Sequence, residues 1–382
     1  MKRATLGLAI LLAVCALQAA RIEARERWTQ AQANTWYAQQ PWPLGSNYIP
    51  ANAINQLEMW QAATFDPQRI DLELGWAQRL GLNTMRVFLH DLLWQQDSKG
   101  FVKRIDTFLA LAAKHGVKPI FVLFDSCWDP RPVLGPQRPP IPGVHNSGWV
   151  QSPGAQDLAD PATSPRLRGY VAGVVGAFAA DSRILAWDVW NEPENHGPDD
   201  YAAYEAKGKF DLVARLLPQV FAWTRAQNPA QPLTSGLYMH DNWAPGAHLD
   251  AIESVQLAES DVISFHDYNW PEKFAARVAQ LAQYQRPIIC TEYMARGAGS
   301  TIDTVLPLGK QANVGMINWG FVAGKTQTNF PWDSWQRPYT LQQPAVWHHD
   351  LLLQDGTPYR AREVEILRTL SSLPKGQIAA TP

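Results

Sequence analysis

Cysteine and surplus charge are both scarce in this sequence. Three cysteines among 382 residues rule out a disulfide framework, and their spacing matches no zinc site. Lys and Arg (33) nearly balance Asp and Glu (35), for a net charge of −2, so no basic face is implied and nucleic acid is not an expected partner. A glycine-rich phosphate loop is missing after the first strand-like run, where "GSNYIP" stands, which argues against an open nucleotide-binding sheet. No internal repeat and no linker to a second domain are visible. Long apolar runs are absent except one, Ala4 to Ala20, preceded by Lys2 and Arg3. That is the pattern of a secretory leader. Residues 1–24 therefore read as a signal peptide, with Ala19, Ala20 or Ala24 as the last residue removed. The mature protein is expected to be secreted or periplasmic in a bacterium, without stable membrane insertion; an uncleaved N-terminal anchor is the alternative. Residues 25–40 read as an N-terminal extension, 41–374 as one domain, and 375–382 as a frayed tail. Outside the leader only Cys127 and Cys290 remain, within or just after apolar runs. Export would permit a disulfide, but two buried free thiols are the expected state.

Tryptophan, by contrast, is abundant, with 17 residues in a chain that is 46% hydrophobic. Part of that content is core material; part is expected to form flat platforms, since a pyranose packs its C–H face on an aromatic ring. From residue 43 onward, short apolar runs alternate with amphipathic stretches. The strand candidates are 43–49, 84–90, 118–125, 184–192, 232–238, 261–268, 287–293 and 314–321. Between them lie helical stripes at 66–80, 101–115, 166–180, 201–226 and 271–284. In the second of these, Phe101, Ile105, Phe108, Leu109 and Ala112 share one helix face. Eight strands alternating with helices predict a parallel sheet closed into a (β/α)8 TIM barrel with long βα loops. The connection 126–165 is rich in Pro and Gly and too long for a plain turn; Trp128, His145, Asn146 and Trp149 mark it as an ordered wall over the barrel mouth.

Chemistry in such a barrel gathers at the C-terminal strand ends. Those ends carry Arg86 and His90, Asp125 and Trp128, Asn191 and Glu192, Tyr238 and His240, His266 and Tyr268, Glu292 and Tyr293, and Trp319. A polar group ending an apolar strand is costly to bury unless paired or solvated, so seven such ends imply one shared polar pocket. Glu192 and Glu292 arrive on strands four and seven, which face each other across a barrel. Two opposed carboxylates suit glycoside hydrolysis, one protonated to assist the leaving oxygen and one ionised to attack the anomeric carbon. Glu194 reads as a loop-rim residue or the partner of a Lys or Arg, and Arg86 could be a purely structural ion-pair partner. Asp125 and Asp129 are candidate substrate contacts or turn residues. The "HD" pairs at His90, His240 and His266 show no metal-ligand spacing, and "WHHD" at 347–350 reads as a loop cap near the last helix. Trp94 and Trp332 are either sugar platforms or packing.

Trp190, Asn191, Glu192 and Pro193 resemble the "WNEP" acid/base motif of clan A glycoside hydrolases, the group that includes the family 5 cellulases and mannanases. "TEY" at 291–293 is similar to the clan's nucleophile strand, and Arg86, His266, Tyr268 and Trp319 match further clan positions in order. The resemblance spans roughly residues 41–370 and departs in the loop 126–165 and in "MRVFLHD", where many family 5 enzymes have "RIP". It implies a retaining enzyme without cofactor or metal. Glu192 would be the acid/base and Glu292 the nucleophile, kept ionised by Arg86 and oriented by Tyr268. Asn191 would bind the sugar 2-hydroxyl, His266 would tune Glu192 or touch substrate, and Trp319 would be the floor under the sugar. His90, Trp128 and Trp149 are further expected substrate contacts. The substrate class is a β-linked glucosyl, mannosyl or xylosyl oligo- or polysaccharide. The long loop after strand three and "FVAGKTQTNFPWDSW" after strand eight would close one end of the cleft, favouring exo action; an open cleft would favour endo action on cellulose, mannan or xylan. An inert carbohydrate-binding protein on the same scaffold and a metal-dependent hydrolase are the other classes.

Overall fold

The computed structural model describes residues 24–378. Nearly all of the leader read from the sequence, and the last four residues of the tail, lie outside the described residues. Eight strands are present among the described residues: β1 Leu44–Asn47, β2 Thr84–Phe88, β3 Lys118–Asp125, β4 Ala186–Asn191, β5 Leu233–Thr234, β6 Ile263–His266, β7 Ile288–Glu292 and β8 Gly315–Asn318. All neighbours are parallel, in the order β5-β4-β3-β2-β1-β8-β7-β6. The last gap, between β5 and β6, is closed by one bridge at Leu237 and Phe265, where Leu237 N–H donates to Ser264 C=O (3.0 Å) and His266 N–H donates to Leu237 C=O (2.8 Å). The result is the (β/α)8 barrel.

Every strand residue but Lys118 is buried, which explains why the strands read as unbroken apolar runs rather than alternating ones. The helices use the expected stripes: Phe101, Ile105, Phe108, Leu109 and Ala112 are all fully buried on the helix Asp91–Lys114. Helices Ala251–Glu259 and Ile302–Gln311 were not anticipated. The first is only nine residues long and the second carries Pro307, so neither shows a long clean stripe. The extension contains the helix Gln30–Gln39, which covers the N-terminal end of the barrel. Its Ala33 joins Ile120, Ala186, Ile289 and Ile317 in a separate apolar cluster, flanked by Trp28 and Trp36. Arg25 anchors it to Asp261 (2.6 Å). Among the described residues, no helix is long and apolar enough to cross a membrane.

Tryptophan is divided between two tasks. Trp42, Trp60, Trp76, Trp187, Trp190 and Trp243 are core, while Trp128, Trp149, Trp319 and Trp332 line one cleft at the C-terminal strand ends. Trp94 packs against the core rather than forming a platform.

Candidate active site

The long connection after β3 does form a wall. It is sewn to the loop after β8 by backbone bonds: Asn146 N–H donates to Thr326 C=O (2.7 Å) and Tyr339 N–H to Gly143 C=O (2.9 Å). His145 N–H donates to Ser334 Oγ (2.9 Å), and Gln327 Nε2 donates to Ile141 C=O (2.8 Å). Such bonds satisfy loop backbone groups that burial would otherwise leave unpaired. The wall and the strand ends enclose a cleft of about 220 Å³.

Arg86, fully buried on β2, lies beneath that cleft and organises it. Its guanidinium donates to Asp188 (3.0 and 2.8 Å), Glu292 Oε1 (2.7 Å), Asn191 Oδ1 (2.6 Å) and Asn47 Oδ1 (3.0 Å). All of its N–H groups are engaged by these partners, so it acts as a fixed positive centre between β4 and β7. A buried ion pair is tolerated only when its remaining hydrogen-bonding capacity is met, which this network achieves on the arginine side.

Glu292, at the end of β7, therefore sits on a cation. Its other oxygen accepts from the Tyr268 hydroxyl (2.7 Å). Glu192, one residue past β4, has a different setting. His266 Nδ1 lies 2.8 Å from its Oε1, while Asn195 Nδ2 (2.6 Å) and the Cys127 thiol (3.3 Å) donate to Oε2. Burial pushes both carboxyls above the ordinary range, and both are offset in part by their hydrogen-bond donors. Only Glu292 has a direct permanent cation, because burial lowers His266 to about 4 and leaves its imidazole neutral near pH 7. Ionisation is thus better supported at Glu292 than at Glu192. One oxygen of each carboxylate, together with a His266 nitrogen, lies within 4.8 Å of the others. Glu192 has φ +42°, in the left-handed region that a residue with a Cβ rarely adopts, and such strain is characteristic of functional positions.

Around this pair, Asn191 is held between Arg86 and Asp125, whose Oδ1 accepts from Asn191 Nδ2 (2.9 Å). Asp125 is raised to about 6 by burial and also accepts from Trp149 Nε1 (2.6 Å). It positions Asn191 and Trp149 from behind the cleft. Trp319 and Trp149 rings stand 6.1 Å apart, near perpendicular, on one side; Trp332 meets the Tyr268 ring edge-on at 5.2 Å.

The structure brings Glu192, Glu292, Asn191, Tyr268, Trp128, Trp149 and Trp319 to the cleft surface, with Arg86 and His266 directly behind it. His90 does not join them. It is fully buried and caps the helix Asp91–Lys114, its Nδ1 accepting from Leu92 N–H (3.2 Å), because the chain turns into that helix immediately after β2. Among the described residues Glu194 is neither a rim residue nor ion-paired: it is 4% exposed, both its oxygens lack a partner there, and burial with Asp250 and Glu192 nearby pushes its carboxyl well up. "WHHD" does lie beside the last helix, and it is buried there: His348 and His349 sit behind Trp332, and Arg296 binds the backbone carbonyls of His349 and Asp350 while pairing with Glu363 of the helix Ala361–Ser372. Cys127 and Cys290 are both buried and free. Residues that strand-end reasoning passed over are Asn47, Asp188, Cys127 and Asn195. His240, Asp250 and Glu253 also bring one ligand atom each within 4.8 Å. Asp250 and Glu253 are engaged, however, in the capping box of the helix Ala251–Glu259, and Glu253 also accepts from Trp243.

No protein-family model matches the sequence, and no curated protein matches it. Solved structures do. A GH5_18 protein from Streptomyces cattleya in complex with GlcNAc aligns over 87% of this chain and 82% of its own, with TM-score 0.57 and 15% identity. The endo-β-1,4-mannanase from Thermotoga petrophila aligns over 88% and 77% with TM-score 0.54 and 12% identity. For the β-1,4-D-mannanase from Cryptopygus antarcticus the values are 74%, 84%, 0.53 and 12%. At these identities the likeness is one of architecture: the chain has the (β/α)8 barrel fold of family 5 glycoside hydrolase structures.

Proposed function

We propose that this protein is a retaining β-glycosidase with Glu292 as nucleophile and Glu192 as general acid/base. The observation that carries the reading is the pair of carboxylates on opposite strands, oxygens within 4.8 Å, one on a guanidinium and the other on neutral partners. Oxygens that approach within 4.8 Å accord with the close pairing, roughly 5–5.5 Å between carboxyl groups, of retaining enzymes. In the first step a Glu292 oxygen bonds to the anomeric carbon as the glycosidic C–O bond breaks, and Glu192 gives its proton to the leaving oxygen. A glycosyl ester of Glu292 results. Loss of the Glu292 charge then lowers the Glu192 pKa, so Glu192 takes a proton from water as the water oxygen attacks the same carbon and Glu292 departs as carboxylate. Neutral His266 suits both states of Glu192: one tautomer donates to the carboxylate, the other accepts from the acid. Asn191 is placed for the 2-hydroxyl and Trp319 for the face of the ring.

The substrate class is a β-linked glucosyl, mannosyl or xylosyl glycan. Mannosides come first for testing because the structural neighbours include β-mannanases and a GH5_18 complex with Manβ1-4GlcNAc. Exo action is favoured by the sewn wall and by a cleft of about 220 Å³, below the roughly 300–1,000 Å³ typical of sites for drug-sized ligands and suited to about one sugar ring. The leader read in the sequence places the enzyme outside the cytoplasm in this reading. Aryl β-glycosides of mannose, glucose, xylose and galactose test it directly: at least one should be hydrolysed with retention, and Glu292→Ala should abolish turnover. Unchanged turnover in Glu292→Ala would refute the assignment, and chain scission of a soluble mannan or glucan would refute exo action.

A further inference from the structure

The wall after β3 holds a side chain without an evident structural task. Asn146 is 1% exposed, its Oδ1 has no hydrogen-bond partner among the described residues, and it lines the cleft that contains Glu192 and Glu292. A buried amide left unpaired is unfavourable, and native proteins rarely keep one without a use. Its backbone is also constrained. Asn146 has φ +47°, held by its N–H bond to Thr326 C=O (2.7 Å) and by Trp149 N–H donating to its C=O (3.2 Å). A left-handed residue pinned on both sides aims its side chain in one direction. His145 stands beside it on the same cleft surface. The His145 ring meets Phe330 C=O through Nδ1 (2.9 Å), so Nδ1 carries the proton and Nε2 is left as an acceptor. Burial keeps that ring neutral, at about 3. The pair therefore offers an acceptor nitrogen and an amide with both donor and acceptor capacity, the complement of two adjacent hydroxyls.

We infer that Asn146, with His145, is the specificity-determining pair for the sugar in the cleaved subsite, reading its 3- and 4-hydroxyls. The inference rests on the glycosidase reading of the cleft. With the anomeric carbon between the two carboxylates, the 2-hydroxyl near Asn191 and the ring on Trp319, the ring edge opposite the anomeric carbon is the part left to meet the wall. A hydroxyl engaged there cannot carry a further sugar, so the same contact that selects the hexose also excludes chain extension at position 4. A site built to hydrogen-bond a hydroxyl rejects the analogue lacking it, because its own polar group is then left unpaired.

The test uses Asn146→Gly, since glycine adopts φ +47° without strain and removes only the side chain. Substrates are the 4-nitrophenyl β-glycoside of the preferred hexose and its 3-deoxy and 4-deoxy analogues. The native enzyme should prefer the parent by about 10-fold or more in kcat/KM over at least one analogue. In Asn146→Gly the parent should lose a comparable factor, and the parent-to-deoxy ratio should fall to within about 3-fold of unity. Asn146→Asp, which keeps shape and backbone preference but removes the amide donors, must also move that ratio; it serves if the glycine variant does not fold. An equal loss on all three substrates, or an unchanged ratio in both variants, overturns the inference. Calorimetric binding of the methyl β-glycoside and its deoxy analogues gives the same ratio without turnover. A protein that binds with this discrimination but hydrolyses nothing would sink the glycosidase reading and leave Asn146 and His145 only as readers of the hydroxyls of a bound sugar.

Discussion

Replacing Tyr268 by Phe removes one hydroxyl and keeps the ring, which contacts Trp332 at 5.2 Å and His349 at 5.7 Å. The packing is preserved, so the change isolates the 2.7 Å bond from the Tyr268 hydroxyl to Glu292 Oε2. A hydrogen bond to a charged group contributes about 1.5–3 kcal/mol, and one pKa unit corresponds to about 1.36 kcal/mol. Loss of the bond should therefore raise the Glu292 pKa by about 1–2 units, nearer the lower figure because water from the cleft can replace the hydroxyl. The direction follows from the chemistry: this bond favours the ionised form, so removing it favours the protonated one. The nucleophile must be ionised, and its titration sets the acidic limb of the kcat/KM profile. That limb should move to higher pH by about one unit or more. At the pH optimum kcat/KM should fall about 10-fold, because the same hydroxyl also orients the Glu292 carboxylate. The assay is a pH–rate profile on an aryl β-glycoside from pH 4 to 9. An acidic limb within a few tenths of the native position, with less than about 3-fold loss at the optimum, would show that Tyr268 does not govern Glu292.

Cys127 acts on the other carboxylate. Its thiol donates to Glu192 and favours ionisation, so Cys127→Ala should raise the Glu192 pKa and carry the basic limb of the same profile upward by a few tenths of a unit; a downward shift would contradict the geometry. Burial pushes the thiol well up, so iodoacetamide at pH 8 should label Cys127 far more slowly than free cysteine, as read by intact mass; labelling at the free-thiol rate would refute its burial. His348 tests linkage in the fold. Burial lowers it to about 4, below the roughly 6.5 of an unfolded histidine, so the unfolded chain binds the extra proton between those values. Its stabilising contribution is present above about pH 6.5 and is lost as pH falls toward 4, by up to about 3 kcal/mol. Thermal melts should accordingly show His348→Gln gaining on the native protein between pH 7 and 4.5, and parallel curves would refute this.

The strands were legible because a parallel barrel buries both faces, which leaves continuous apolar runs; β5 keeps only two residues of its run of 232–238, and β6 and β8 keep four each of theirs. The cleft residues were legible where a polar side chain ends such a run, as at Glu192, Glu292 and Trp319. His90 satisfies the same pattern but turns to cap a helix, a local choice that spacing cannot reveal. Asp188 and Asn47 were illegible for the opposite reason. They sit inside apolar runs and point into the barrel, where only the presence of Arg86 explains a buried polar group. Asn146, Asn195 and Cys127 arrive from loops, and a loop residue's destination depends on stitching to segments nearly two hundred residues away, as between Asn146 and Thr326.

The barrel is not equally strong around its circumference. β5 has two residues, and its seam with β6 is a single bridge at Leu237. That weak stave neighbours β4, the strand that leads to Glu192, while the long loops after β3 and β8 are laced to each other. Thermal breathing should begin at this seam, giving early amide exchange at Leu237 and His266.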